Sequence, residues 1–141
     1  HGEWQLTVPT GYHTAADGEA TPVDANTVTP APRRAARFMI QANTPGASDG
    51  PPLIVAVVFP DPGTAVDVMY GPLIAEVGTT PASISIGPHI CARIADTQAM
   101  APLDYIVCRQ HGYVLEYRIM EHQLPAHASV LERMTDTFNV R

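Results

Sequence analysis

Hydrophobic and polar residues alternate through EWQLTVP, where Trp4, Leu6 and Val8 fall on one side. That is the period of a half-buried strand, ended here by Pro9 and Gly11. AARFMIQA and PLIVAVVF predict two more strands, the second almost continuously apolar and β-branched, as suits a central strand covered on both faces or a core edge. These two should pair as neighbours. The period then changes. In DPGTAVDVMYGPLIAEVG, Val66, Met69, Leu73, Ile74 and Val77 recur at helical spacing, which predicts a helix over 64–77. Asp61 or Thr64 could cap its start, Gly78 could stop it, and Pro72 should kink or split it.

The second half returns to strands in SISIG, HICARIADT, LDYIVCRQ and YVLEYRIME. The last two flank Gln110, His111 and Gly112, a hairpin connection whose glycine tolerates positive φ. In the final strand Tyr113, Leu115, Tyr117 and Ile119 should face a core, and Val114, Glu116 and Arg118 a mostly wet side. PAHASVLERMTDTF then places Val130, Leu131, Met134 and Phe138 on one stripe of a helix over 126–138. Its start could be set by Pro125 or by the capping-box spacing of Ser129 and Glu132. The reading is an α+β fold: an antiparallel sheet of five to seven strands with helices packed on it.

A chain of 141 residues fits one domain, taken as 1–141. Its 45% hydrophobic content is enough for an ordinary core, and no apolar run approaches the roughly 20 residues that span a bilayer. Residues 14–35, rich in Thr, Ala and Pro, and the break NTPGASDGPP read as surface loops. The chain starts at His1, so an upstream segment, with room for a signal or lipid anchor, or a trimmed end is expected.

Charge narrows the function classes. Every basic residue other than histidine is Arg, so a Schiff-base lysine and a Walker-type P-loop are absent. The net charge is −6, and the one basic cluster, Arg33, Arg34 and Arg37, is too small to hold a phosphate backbone against that field. Nucleic acid is therefore not an expected partner. Of the serines, Ser48, Ser83, Ser85 and Ser129, none lies in a G-x-S-x-G elbow, the carboxylates are scattered singly, and His122 and His127 read as solvent-exposed residues beside the last helix. The sequence nominates no catalytic residue, cofactor or resident metal.

The turn VPTGYHT after the first strand, a long loop, two strands, a helix, a meander and a closing helix with the tail ERMTDTFNVR resemble the PsbP-like fold. That fold is shared by the oxygen-evolving-complex PsbP proteins, the Ran-binding Mog-type proteins, the DcrB-type envelope proteins and the Lpq-type lipoproteins of actinobacteria. Many members carry Trp after the Pro-x-Gly where this chain has Tyr12. The resemblance implies binding and scaffolding, and no shared catalytic set comes with it.

The chemistry that remains open lies in GPHICARIADTQAMAPLDYIVCRQHG, which holds both cysteines. His89, Cys91, Cys108 and His111 are of the types a structural zinc takes, but lack the close Cys pair of known modules. A Cys–His nucleophile would need an orienting third group and an oxyanion pocket that the sequence does not mark. Two buried free thiols are a third alternative. The favoured reading is a Cys91–Cys108 disulfide, because strand, short excursion and strand can bring the two positions opposite one another, provided the register agrees.

These readings lead to a non-enzymatic binding domain, exported to the bacterial cell envelope with room for a lipid anchor upstream, that captures a protein, lipid or small apolar ligand. Its expected contact surface is Tyr12 with Arg33, Arg34 and Arg37, because long loops on a rigid sheet carry contacts. The alternatives are a cytosolic DcrB-like adaptor or chaperone for secreted effectors, with an apolar groove for an amphipathic helix, and a small thiol or zinc enzyme.

Overall fold

In a computed structural model, described over residues 4–15, 36–42, 53–97 and 102–140, the chain forms an α+β fold built on an antiparallel sheet. Strands β1 (Trp4–Gln5), β2 (Tyr12–Ala15), β3 (Ala36–Ala42) and β4 (Leu53–Pro60) lead into helices α1 (Val66–Met69) and α2 (Gly71–Val77). Then come β5 (Ala82–Ile86), β6 (His89–Asp96), β7 (Leu103–Gln110), β8 (Tyr113–Met120), α3 (Leu124–Thr137) and β9 (Asn139–Val140). The main sheet has seven strands in the order β2-β3-β4-β8-β7-β6-β5. β1 and β9 form a separate two-stranded ribbon that pairs Trp4 with Val140.

Local chemistry fixes the turns. His111 and Gly112 both take positive φ, 53° and 79°, as a two-residue turn with right-handed flanking strands requires. Gly87 (φ 59°) and Pro88 connect β5 to β6, with glycine at the first turn position, where a primed turn needs it. The helix expected over 64–77 is split at Tyr70: α2 restarts with Pro72 in its first turn, where the missing N–H costs nothing, and Gly78 ends it at φ 72°. Ala65, not Asp61 or Thr64, sits at the start of α1, and Asp61 instead accepts the Gly63 N–H at 2.8 Å. The last helix begins at Leu124 with Pro125 in its first turn, before the Ser129 and Glu132 alternative.

The alternation of the first segment survives without a long ladder. Only Trp4 and Gln5 are hydrogen-bonded as strand, yet Trp4, Leu6 and Val8 all pack against the core, with Gln5 and Thr7 exposed between them.

The sheet is covered on both faces. On one, Val130, Leu131 and Met134 of α3, followed by Phe138, pack on Ile54, Ala56, Val58, Leu115, Tyr117 and Ile119. On the other, Met69, Tyr70, Leu73 and Val77 pack on Val57, Phe59, Ile94, Val107 and Val114. This corrects the expectation that one side of β8 is mostly wet: Val114 and Glu116 are fully buried beneath α1 and α2. Alternation along β8 separates two cores, and the polar Glu116 belongs to the second.

Candidate functional site

Cys91 and Cys108 form a disulfide with their Cα atoms 4.6 Å apart. The β6–β7 register, which pairs Ala92 with Val107 and Arg93 with Ile106, sets the cysteines opposite one another on the α3 side. Both are nearly inaccessible within that core. The bridge occupies both sulfurs, so neither is a thiolate for nucleophilic attack or for zinc. Their histidine neighbours have other partners. His89 Nε2 pairs with Asp136 Oδ1 of α3, and the His111 ring lies 6.5 Å from that of Phe138 at 20°. The thiol or zinc enzyme built on His89, Cys91, Cys108 and His111 is thereby set aside.

Tyr12 and Arg37, expected on one contact surface, lie on opposite faces of the sheet. Tyr12 pairs with Ala42 and bonds through its hydroxyl to His127 Nδ1 on α3, the rings meeting edge to face. Burial raises the Tyr12 phenol above its ordinary pKa. Arg37 is exposed and opposes Val57, on the α1–α2 side. Positions 37 and 42 of β3 differ by an odd offset, and strand alternation assigns them to opposite faces. Arg33 and Arg34 lie outside the described residues. His127, expected to be an idle surface residue, is instead part-buried in the first turns of α3 by its contact with Tyr12.

The α1–α2 side carries an ionic cluster that sequence reasoning missed. Glu116 has no exposure and is held by the Tyr70 hydroxyl, which donates to Oε1 at 2.6 Å, and by Arg118 Nε on Oε2. The Arg118 guanidinium lies 5.2 Å from the centroid of the Tyr105 ring, within cation–π range. Burial pushes the Tyr70 phenol well above its ordinary value, and the neighbouring Glu116 carboxylate pushes it further. Burial opposes the charge of Arg118, but Glu116 more than offsets it and holds the guanidinium ionised. Glu116 and Arg118 at i, i+2 on one strand were the available signal, because such a pair shares a face.

A strip of exposed apolar side chain runs beside this cluster. Met39 opposes Val55, Val55 opposes Arg118, Arg118 opposes Tyr105, and Met120 opposes Leu103. Met39 and Met120 are 38% and 40% exposed, while Val55 and Leu103 are half-buried. Among the described residues the large exposed hydrophobics are Met39, Val68, Ile90 and Met120. Met39, Ile90 and Met120 lie on the α1–α2 face of the sheet and Val68 on α1 itself, so none of these described residues lies on the α3 side. The arrangement offers dispersion and hydrophobic contact around one stacked, charge-compensated arginine.

The chain matches no protein-family model and no curated protein sequence. Among solved structures it is similar to LpqN of Mycobacterium tuberculosis, described as involved in cell envelope biogenesis, at 13% identity and a TM-score of 0.46, over 97% of this chain and 82% of that one.

Proposed function

We propose that this chain is a non-enzymatic binding domain of the bacterial cell envelope and that it captures an apolar ligand on the strip formed by Met39, Val55, Leu103 and Met120. The observation that carries the reading is the one-sided exposure, among the described residues, of large apolar side chains around Arg118 and Tyr105. Methionine suits such a surface, because its unbranched, polarizable side chain adapts to ligands of different shape. Arg37 borders the strip two residues from Met39 on the same face and would meet an anionic end of the ligand. Tyr12, committed to His127, does not belong to it.

The Cys91–Cys108 bridge supports an oxidising compartment, and so export, over the cytosolic adaptor reading, in which the sulfurs would be reduced. The PsbP-like resemblance of the sequence belongs to the same proposal.

The test uses the environment-sensitive dye anilinonaphthalene sulfonate. It should fluoresce strongly with the native chain, and the Met39→Asp, Met120→Asp double variant should abolish the enhancement at unchanged melting temperature. Equal enhancement from the folded double variant would remove the strip as the binding site.

A further inference from the structure

The edge of the sheet formed by β5 supports a second inference, independent of the apolar strip. We infer that two copies of this chain pair through β5, antiparallel and centred on Ile84, so that the two main sheets become one continuous sheet.

The outward-facing groups follow from the turn. A two-residue connection at Gly87 and Pro88 makes Ile86 and His89 the hydrogen-bonded pair that closes the hairpin. Ile84 and Ala82 then also direct their peptide groups toward β6, opposite Cys91 and Arg93. Ser83 and Ser85, opposite Ala92 and Ile90, direct their N–H and C=O groups away from β6, toward the edge.

Those groups are self-complementary. With the two-fold axis at Ile84, Ser83 of one copy opposes Ser85 of the other, and each pair exchanges two N–H···O=C bonds, four in all. Ile84 meets its own equivalent as the close pair between them, on the α3 side, where Ile84 already packs against the core. The row Leu115, Cys108, Cys91 and Ile84 thereby continues into the second copy. On the opposite face the serines are small and exposed, so no bulk obstructs the junction.

Charge favours a second copy over an unlike partner. Natural edge strands are commonly guarded by a charged residue, an inward proline or a bulge. Residues 79–88, TTPASISIGP, carry no charge in a chain of net charge −6, so two copies meet here without like-charge repulsion at the contact. Pro81 and Pro88 lie outside β5 and leave its five residues open for pairing. The helix does not interfere either. Glu132 approaches Gly87 and Asp136 holds His89, so α3 sits at the turn end of β5, and antiparallel pairing places the two α3 helices at opposite ends of the junction.

Sedimentation of the native chain over a range of concentrations should show a monomer–dimer equilibrium. Ser85→Pro removes an outward N–H without touching the β5–β6 ladder, and should weaken the dimer at least about tenfold with circular dichroism and melting temperature unchanged. As a check on register, Ser83→Cys mixed with Ser85→Cys and oxidised at high concentration should give a covalent dimer, on the sheet face away from the Cys91–Cys108 bridge. A native chain that stays monomeric throughout, a folded Ser85→Pro variant that dimerises as tightly, or a dimer that the Ser83→Cys and Ser85→Cys chains cannot cross-link would each overturn the inference.

Discussion

The Tyr70 hydroxyl donates to Glu116 Oε1 at 2.6 Å, joining the short helical layer to a carboxylate with no solvent exposure in the middle of the sheet. A buried charge is costly unless its oxygens are occupied, and Tyr70 and Arg118 each occupy one. Tyr70→Phe should therefore destabilise the fold by about 1–3 kcal/mol, the cost of stranding a buried acceptor. Urea unfolding of the two proteins compares them directly, and a change within error would mean that Glu116 finds another donor.

The same burial gives a pH dependence at the alkaline end. The phenols of Tyr70, Tyr105 and Tyr117 are all raised, chiefly by desolvation, so the native state keeps protons that the unfolded chain releases above about pH 10. Their contribution is complete below that pH and declines as pH rises through and beyond it, because the unfolded state then binds fewer protons than the native one. Melting temperature should fall steeply in that range, and phenolate absorbance from these three residues should appear together with loss of near-ultraviolet circular dichroism. Full phenolate absorbance from a still-folded chain would contradict the expectation.

Reduction of the Cys91–Cys108 bridge should lower stability by about 3 kcal/mol on the chain-entropy account, for a sequence separation of 17. Unfolding with and without reductant measures it. Denatured protein prepared without reductant should show no titratable thiol, and its mass should be lighter by two hydrogens than that of the reduced chain.

Phe138 is 1% exposed and lies where the end of α3 meets the β1–β9 ribbon and the β7–β8 turn, 6.0 Å from the Trp4 ring and 5.7 Å from that of Tyr113. Phe138→Ala should cost about 3–5 kcal/mol. It should also redshift and quench Trp4 fluorescence, because the indole loses its aromatic cover. A loss below about half a kcal/mol, the size typical of surface substitutions, would mean that this corner does not pack as described.

Local sequence determined the number and order of the long elements. The apolar alternation of β8, the continuous apolar run of β4 and the stripe through Val130, Leu131 and Met134 are each set by the period of a strand or a helix. Glycine at 78 and 112 marked two places where the backbone adopts positive φ. The cysteine pairing was legible as a geometric option, but choosing it required the β6–β7 register, because a slip of one residue would send the two side chains to opposite faces.

What lies on each face was decided only by tertiary packing. Period-two patterning sorts β8 into two sets of side chains but does not state what covers each set, so the set containing Glu116 looked wet until α1 and α2 were seen to cover it. Tyr12 and Arg37 were expected on one surface because they flank one long loop, whereas the β2–β3 pairing assigns them to opposite sides. Sequence carries the alternation because alternation is a property of one strand. Which face meets a helix and which remains open is a property of how distant segments pack, and no single stretch of chain encodes it.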